Sequence, residues 1–319
     1  MSTPRRIDLA DRPLVPEVEV ACDLCGSTAT DTVATGVDFD YQTCRNTWNF
    51  VRCRMCGLEY LNPRPDVTAL EVIYPATYEP FLFHETSNPF MRFGRAYVQR
   101  RKAVALRRLA GDEATIIDVG CGSGQLLDLL HRHGPKGWRL IGNDFSDLAA
   151  ENVQRLGLEY LGGRFEELDT ELRFDVVVLN QTLEHLERPA AVVEKAALLL
   201  RPGGILFIET PSVDSLDARA FRRRRWGGYH FPRHWTLFTE QTLGRLVGEH
   251  GFEVIEVRYL ASPAFWCQSF NHLALETAFP APRFWSLHNP LTLMAFTAFD
   301  VARSRVARTS NLRLVARRR

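Results

Sequence analysis

The chain has 319 residues, with 39 Lys+Arg against 38 Asp+Glu, 45% of positions apolar and 24% charged. That composition belongs to a folded globular protein and excludes a disordered, collagen-like or disulfide-stapled miniature scaffold. A formal net charge of +1 provides no global field toward nucleic acid or an anionic membrane, so any such contact has to be local.

Length predicts about two domains. The first sixteen residues lack the apolar stretch of a signal peptide, and nowhere do about 18 uncharged apolar residues run together. A cytoplasmic protein without membrane spans is expected. Seven cysteines in a reducing compartment point to metal binding or burial rather than to disulfides.

Residues 1–75 read as a metal-binding module with its linker. Cys22 and Cys25, then Cys53 and Cys56, form two C-x-x-C-G turns. Each turn presents two thiolates to one ion, and the pair completes a tetrahedral site for which zinc is the default. Four thiolates leave no position open for water or substrate, so the zinc is expected to be structural. Cys44 sits between the pairs without a partner and could replace one of the four. Residues 41–60 predict short strands, with Tyr41, Trp48, Phe50 and Tyr60 as a small core, and Asn62 to Pro65 end the module.

Residues 76–110 predict one or two lid helices, since Phe93, Tyr97, Val104, Leu106 and Leu109 recur near helical spacing. From 111 to 260 the pattern alternates strand and helix. Predicted strands cover 114–118, 139–144, 174–180, 204–209 and 252–260, which implies a parallel sheet. Residues 261–319 predict an aromatic-rich helical cap, including Trp266, Phe270, Phe279, Phe284 and Trp285, before a last strand at 311–317.

Gly120, Gly122 and Gly124 stand where the first strand turns into a helix, which lets a nucleotide approach the backbone. The spacing departs from the dinucleotide pattern G-x-G-x-x-G, because Gln125 occupies its third position. Asp118 ends the strand, where it would repel a pyrophosphate but suit a sulfonium and an ammonium group. Asp144, ending the second strand, is placed to accept two ribose hydroxyls.

Through Asp118–Gly124, Asp144, the segments 162–168 and 174–186, and 200–211, in that order, the chain resembles the class I S-adenosylmethionine-dependent methyltransferases. The resemblance implies an α/β Rossmann-like sheet of seven strands with helices on both faces and one antiparallel edge strand. It implies S-adenosylmethionine as cofactor, with Gly120, Gly122 and Gly124 along the methionine, Asp144 and the following Phe145 at the ribose, Phe165 and Glu166 at the adenine edge, and Asn180 and Gln181 as floor. The zinc module, Glu184-His185 and the run from Trp226 to Phe238 resemble a bacterial branch of secondary metabolism whose acceptors include sugars and lipids.

Methyl transfer needs alignment of acceptor, methyl and sulfur, with a base where the acceptor is a hydroxyl. His185, His230 and His234 are the candidate bases. No Asn-Pro-Pro-aromatic turn or Pro-Cys pair follows the fourth strand, so DNA is not an expected substrate. Residues 219–233 carry Arg219, Arg222, Arg223, Arg224, Arg225 and Arg233 without an acid. Beside Tyr229 and Trp235 they could recognise a phosphate or carboxylate, touch a membrane surface, or bind RNA, the weakest of the three. With Trp266 in the cap, the favoured acceptor is an amphiphilic, lipid-like small molecule that is methylated on oxygen. A glycan or nucleotide-sugar acceptor is the alternative, and a non-catalytic adaptor using the zinc module is the alternative of another class.

Overall fold

The computed structural model describes residues 7–75, 78, 102–277, 284–285 and 289–319. Near the N-terminus, β1 (Glu17–Val18) pairs with β5 (Arg64–Pro65), while β2 (Thr30–Gly36), β3 (Trp48–Cys53) and β4 (Glu59–Leu61) form an antiparallel sheet. Trp48, Phe50 and Leu61 are fully buried beneath it. Glycine stands at position 36, the end of β2, where a side chain would collide with Phe231, whose ring lies 2.4 Å from the position a Cβ would take.

The large sheet follows: β6 (Glu113–Val119), β7 (Gly137–Asp144), β8 (Glu159–Gly162), β9 (Phe174–Asn180) and β10 (Leu200–Pro211), then β12 (Phe252–Leu260) and β13 (Asn311–Arg318). Between them, β11 (Thr236–Leu237) leaves the core and adds to β4, so the small sheet runs β11-β4-β3-β2. The N-terminal module therefore shares a sheet and an apolar core with residues 218–237, including Trp226, Tyr229, Phe231 and Trp235.

The large sheet has seven strands in the order β12-β13-β10-β9-β6-β7-β8. Ile117, Val119, Val177 and Leu179 face one apolar layer, while their neighbours Ile116, Val176 and Val178 face the other. Alternation of this kind, apolar on both sides, is what covering helices on two faces demand of parallel strands. Among those helices, Gln125–His133 and Asp147–Arg155 contribute to one layer and Pro189–Leu199 and Glu240–Glu249 to the other.

The antiparallel strand is not at the edge, as the sequence led us to expect. β13 lies between β10 and β12 and is antiparallel to both. Leu312 to Ala316 are all buried, so this strand has an interior position, and β12 takes the edge with Glu253, Glu256 and Arg258 along it, charges that discourage further strand addition. Of the lid segment 76–110, residues 102–110 are helical; Phe93 and Tyr97 lie outside the described residues, as does Phe279 of the cap. In the cap, helices Pro263–Glu276 and Pro290–Arg303 pack through Trp266 stacked on Phe296, ring centroids 5.6 Å apart. No helix among the described residues is long and apolar enough to cross a membrane.

Candidate active site

Register brings the carboxyl ends of the parallel strands together: Asp118 lies beside Gly142 and Val178, and Glu209 beside Asn180. Open α/β sheets bind ligands at this edge. A cavity of about 720 Å³ opens there, within the size range of small-molecule sites.

The glycine turn forms one wall. Gly120 has φ +70°, and a Cβ on it would sit 2.4 Å from Thr182 Cγ2, so only glycine fits. Gly122 N–H donates to Asp144 Oδ2 at 3.0 Å and Ser146 N–H to Oδ1 at 3.0 Å, so Asp144 orders the turn while facing the cavity. Gly124 does not reach the cavity wall. Its left-handed φ of 74° opens the helix Gln125–His133, which is why glycine stands there. Phe145, Phe165, Glu166, Asn180 and Gln181 all line the cavity. Burial, opposed by Lys102 and reinforced by Asp144, raises the Asp118 carboxyl to about 7.

Lys102 escaped the sequence reading. Its ammonium lies 2.8 Å from Glu209 Oε2 and 2.5 Å from Asn180 Oδ1. Arg313 holds the other Glu209 oxygen, and against the cost of burial the two cations keep that carboxylate below its usual range. The floor beneath Asn180 is thereby braced from both sides.

At the far end the three expected histidines come together, with ring centroids of His185 and His234 4.7 Å apart and those of His230 and His234 5.0 Å apart. His185 Nδ1 faces the carbonyl of Arg233 at 3.0 Å, and His234 Nδ1 faces that of Gly228 at 2.8 Å. A carbonyl only accepts, so in both rings Nδ1 carries the hydrogen, and the Tyr74 hydroxyl, 3.1 Å from His185 Nδ1, stands beside that bond. Burial first, then the neighbouring rings, push His185 down to about 3 and His234 well below the ordinary imidazole value, so both are neutral.

Glu184, between them, is fully buried. Its Oε2 accepts from Thr210 at 3.0 Å, and Oε1 has no hydrogen-bond partner among the described residues. Burial raises this carboxyl to about 8. The folded chain then keeps a proton that the unfolded chain sheds near the ordinary carboxylate value of 4.5, so the group subtracts stability as pH climbs from there to about 8. The cost at the upper end is on the order of 3–5 kcal/mol. Glu184→Gln is therefore expected to match wild type near pH 5 and to melt progressively above it toward pH 8; parallel melting curves across that range would refute the shift.

Of the residues expected to touch the acceptor, Trp235 lines the cavity. The others turn elsewhere. Tyr229 packs between Phe50 and Phe231 under the small sheet. Arg233 is fully buried and gives both terminal nitrogens to Asp38, at 2.9 and 3.0 Å, because a guanidinium out of water needs a carboxylate. Trp266 donates its indole N–H to Asp300 at 3.0 Å, while Phe265 and Gln268 of the same helix face the cavity. Arg224 and Arg225 are both paired with Glu276. The wall that sequence reasoning missed is supplied by Leu70 and Tyr74 of the N-terminal module, by Tyr78 just beyond it, and by Tyr41, which was expected in the module's core.

In that module Cys22, Cys25, Cys53 and Cys56 converge, their sulfurs all within 4.8 Å of one another. Cys22–Cys56 and Cys25–Cys53 are 3.5 Å apart. A tetrahedron with zinc–sulfur bonds of about 2.3 Å has edges of about 3.8 Å, so the donor set fits. Gly26 and Gly57, after the two pairs, have φ of 72° and 79°, the left-handed turn each knuckle requires. Although burial opposes it, the backbone N–H groups of Cys56 and Met55 bring Cys53 down to about 7, while burial raises Cys22 and Cys56, so the fit to a metal rests on the sulfur geometry. Cys44 is buried with Trp48 and Phe50, outside this cluster.

A seven-stranded sheet with one antiparallel strand, a glycine turn after its first strand and an acidic residue ending its second defines the class I methyltransferase architecture. A methyltransferase-domain family model matches residues 93–257, and the chain belongs to that family of S-adenosylmethionine-dependent enzymes. Among curated relatives, "Ubiquinone biosynthesis O-methyltransferase" of Bradyrhizobium sp. (strain ORS 278) is 30% identical over 116 residues, 34% of this chain and 44% of that one. The protein of the same name from Xylella fastidiosa (strain 9a5c) is 38% identical over 115 residues, 33% of this chain and 44% of that one. The match thus spans less than half of these relatives. Magnesium protoporphyrin IX methyltransferase from Synechocystis PCC 6803, solved with bound S-adenosylhomocysteine, shares the fold at a TM-score of 0.51 and 15% identity, covering 80% of this chain and 100% of that one.

Proposed function

We propose that this chain methylates a hydroxyl oxygen of a small, lipid-like acceptor. The observation that carries the reading is one continuous cavity with the glycine turn and Asp144 at one end and three histidines within an aromatic wall at the other. When bound, S-adenosylmethionine supplies an electrophilic methyl group. Asp144 would hold its ribose, Asp118 its ammonium group, and Phe165 with Glu166 the adenine. Tyr74, Tyr78, Trp235 and Phe265 would surround an apolar acceptor and exclude water. The names of the curated relatives favour oxygen over nitrogen and a lipid-like acceptor over a sugar. The nucleotide-sugar alternative drew on arginines, and Arg224, Arg225 and Arg233 are already engaged with carboxylates. Zinc at the four cysteines would serve the fold and not the chemistry.

The deciding experiment incubates the protein with methyl-labelled S-adenosylmethionine and a panel of 4-alkylcatechols, alkylamines and nucleotide sugars, and reads product mass. Methyl ether formation that improves with alkyl length supports the reading. Methylation confined to amines or sugars overturns it.

A further inference from the structure

Asp40 lies on the loop after β2 and is assigned no role by anything above, yet it joins three parts of the molecule. Its Oδ2 is 2.7 Å from His230 Nδ1, and its Oδ1 is 2.9 Å from His272 Nε2. His230 belongs to the loop between β10 and β11 and lines the cavity; His272 belongs to the cap helix Pro263–Glu276.

The protonation pattern follows from the acceptors. His272 Nδ1 faces the carbonyl of Arg225 at 3.2 Å, and its Nε2 faces the Asp40 carboxylate. Both nitrogens therefore carry hydrogen, and the ring is an imidazolium. It is held flat against Phe39, with centroids 4.7 Å apart. Asp40 is thus ionised and fixed from the cap side, and it turns its second oxygen to His230. A carboxylate accepts only, so His230 carries hydrogen on Nδ1, and in the neutral ring Nε2 is the nitrogen left with a lone pair.

His230 also has a backbone φ of 39°, uncommon for a residue with a side chain and a position that surrounding structure must enforce. Arg233 N–H donates to the carbonyl of His230 at 2.8 Å, and Arg233 is itself locked to Asp38, two residues before Asp40. The N-terminal module therefore grips the loop at two neighbouring points.

We infer that Asp40 is the positioning residue for the base of methyl transfer, and that among the three cavity histidines His230 is that base. The inference rests on the reading that the acceptor is a hydroxyl. As the acceptor oxygen attacks, its O–H bond breaks, the proton passes to His230 Nε2, and the electron pair stays on oxygen. The charge that appears on the ring is met by Asp40. His185 and His234 have carbonyls behind them in place of a carboxylate, and burial holds both neutral, so neither accepts a proton at comparable cost. Their bare nitrogens are suited to orienting the acceptor. The N-terminal module is then part of the catalytic apparatus, because it supplies the carboxylate that the core lacks at this point.

The test begins with ¹⁵N imidazole spectra of the full chain saturated with S-adenosylhomocysteine. His230 is expected in the Nδ1–H tautomer and His272 doubly protonated. Asp40→Asn is expected to shift the His230 tautomer and to lower kcat with a 4-alkylcatechol by about 10²- to 10³-fold, with KM within about threefold. Asp40→Glu, which keeps the carboxylate, is expected to recover about tenfold of that loss. A wild-type His230 found in the Nε2–H tautomer overturns the inference without any variant, as does an Asp40→Asn protein that keeps its kcat. Failure of the wild type to methylate any alkylcatechol while the tautomers stand as described would instead strike the proposed acceptor.

Discussion

Cys53→Ser is expected to leave the chain with less than one zinc per molecule, to lower its thermal midpoint by more than about 10 °C, and to abolish acceptor turnover. A structural zinc contributes about 10–16 kcal/mol in isolated zinc-finger peptides, and a module of this size has few other means of holding its turns. Cys53 is also buried in the same apolar layer as Leu58, Tyr60, Leu206 and Phe238, so disorder here reaches the large sheet. The consequence for function follows from β11: Thr236–Leu237 pairs with β4, and the loop just before it carries His230 and His234. Losing the knuckles therefore frees the histidines and the Asp38–Arg233 and Asp40–His230 contacts together. Cofactor affinity is expected to change by less than about fivefold, because the glycine turn, Asp118 and Asp144 are held by the paired strands β6 and β7 and by the Gly122–Asp144 hydrogen bond, none of which involves the knuckles. Elemental analysis, thermal melts and calorimetry on one preparation check all three parts. A zinc-free wild type with an unchanged melt would identify the four cysteines as a thiol cluster that holds no metal.

The parts of this molecule that sequence made legible are those in which neighbours along the chain are neighbours in space. β6, β7, β9 and β10 are runs of buried apolar residues on both faces, each closed by a polar residue or turn at the sheet edge, and such runs read directly as parallel strands. The two C-x-x-C-G turns are equally local. What remained hidden is long-range: Asp40 meets His230 across 190 positions, and Asp38 meets Arg233 across 195. No periodicity encodes such a pair. Arg233 was legible as a cation and its carboxylate was not, so the residue was expected to face a ligand. Trp266 shows the same limit on a helix. Phe265 and Gln268 are three apart and share one face, whereas Trp266, turned by about 100°, looks to Asp300 on the next helix. Composition identified the aromatic helix but not its phase. Glu184 was visible as an acid beside a histidine, and its raised proton affinity arises from complete burial, which only the assembled fold provides.

The binding of S-adenosylmethionine is expected to strengthen with pH up to neutrality and to expel a proton, because Asp118 has to ionise to receive an ammonium group. In the ligand-free chain burial raises this carboxyl to about 7 and Asp144 adds to the effect. Below that pH the folded protein keeps the carboxyl neutral, and binding has to remove its proton first. The sign is therefore fixed: affinity falls as pH drops from 7, by about tenfold per unit when the proton is fully coupled, and levels off above it. Calorimetry between pH 5.5 and 7.5 in buffers of different ionisation enthalpy measures both the affinity and the proton count. Asp118→Asn is expected to bind about 10- to 100-fold more weakly at pH 7.5 and to show no proton release. Asp144→Ala is expected to lose more than about 100-fold, since it removes the proposed ribose acceptor and also the carboxylate that holds Gly122 N–H at 3.0 Å in the turn. The two carboxylates are thus separable, because Asp118→Asn is expected to abolish the proton release while Asp144→Ala keeps it and weakens binding. A pH-flat wild type that Asp118→Asn leaves unweakened would mean that the ammonium group is held elsewhere, with the Asn180 and Gln181 floor the next place to look.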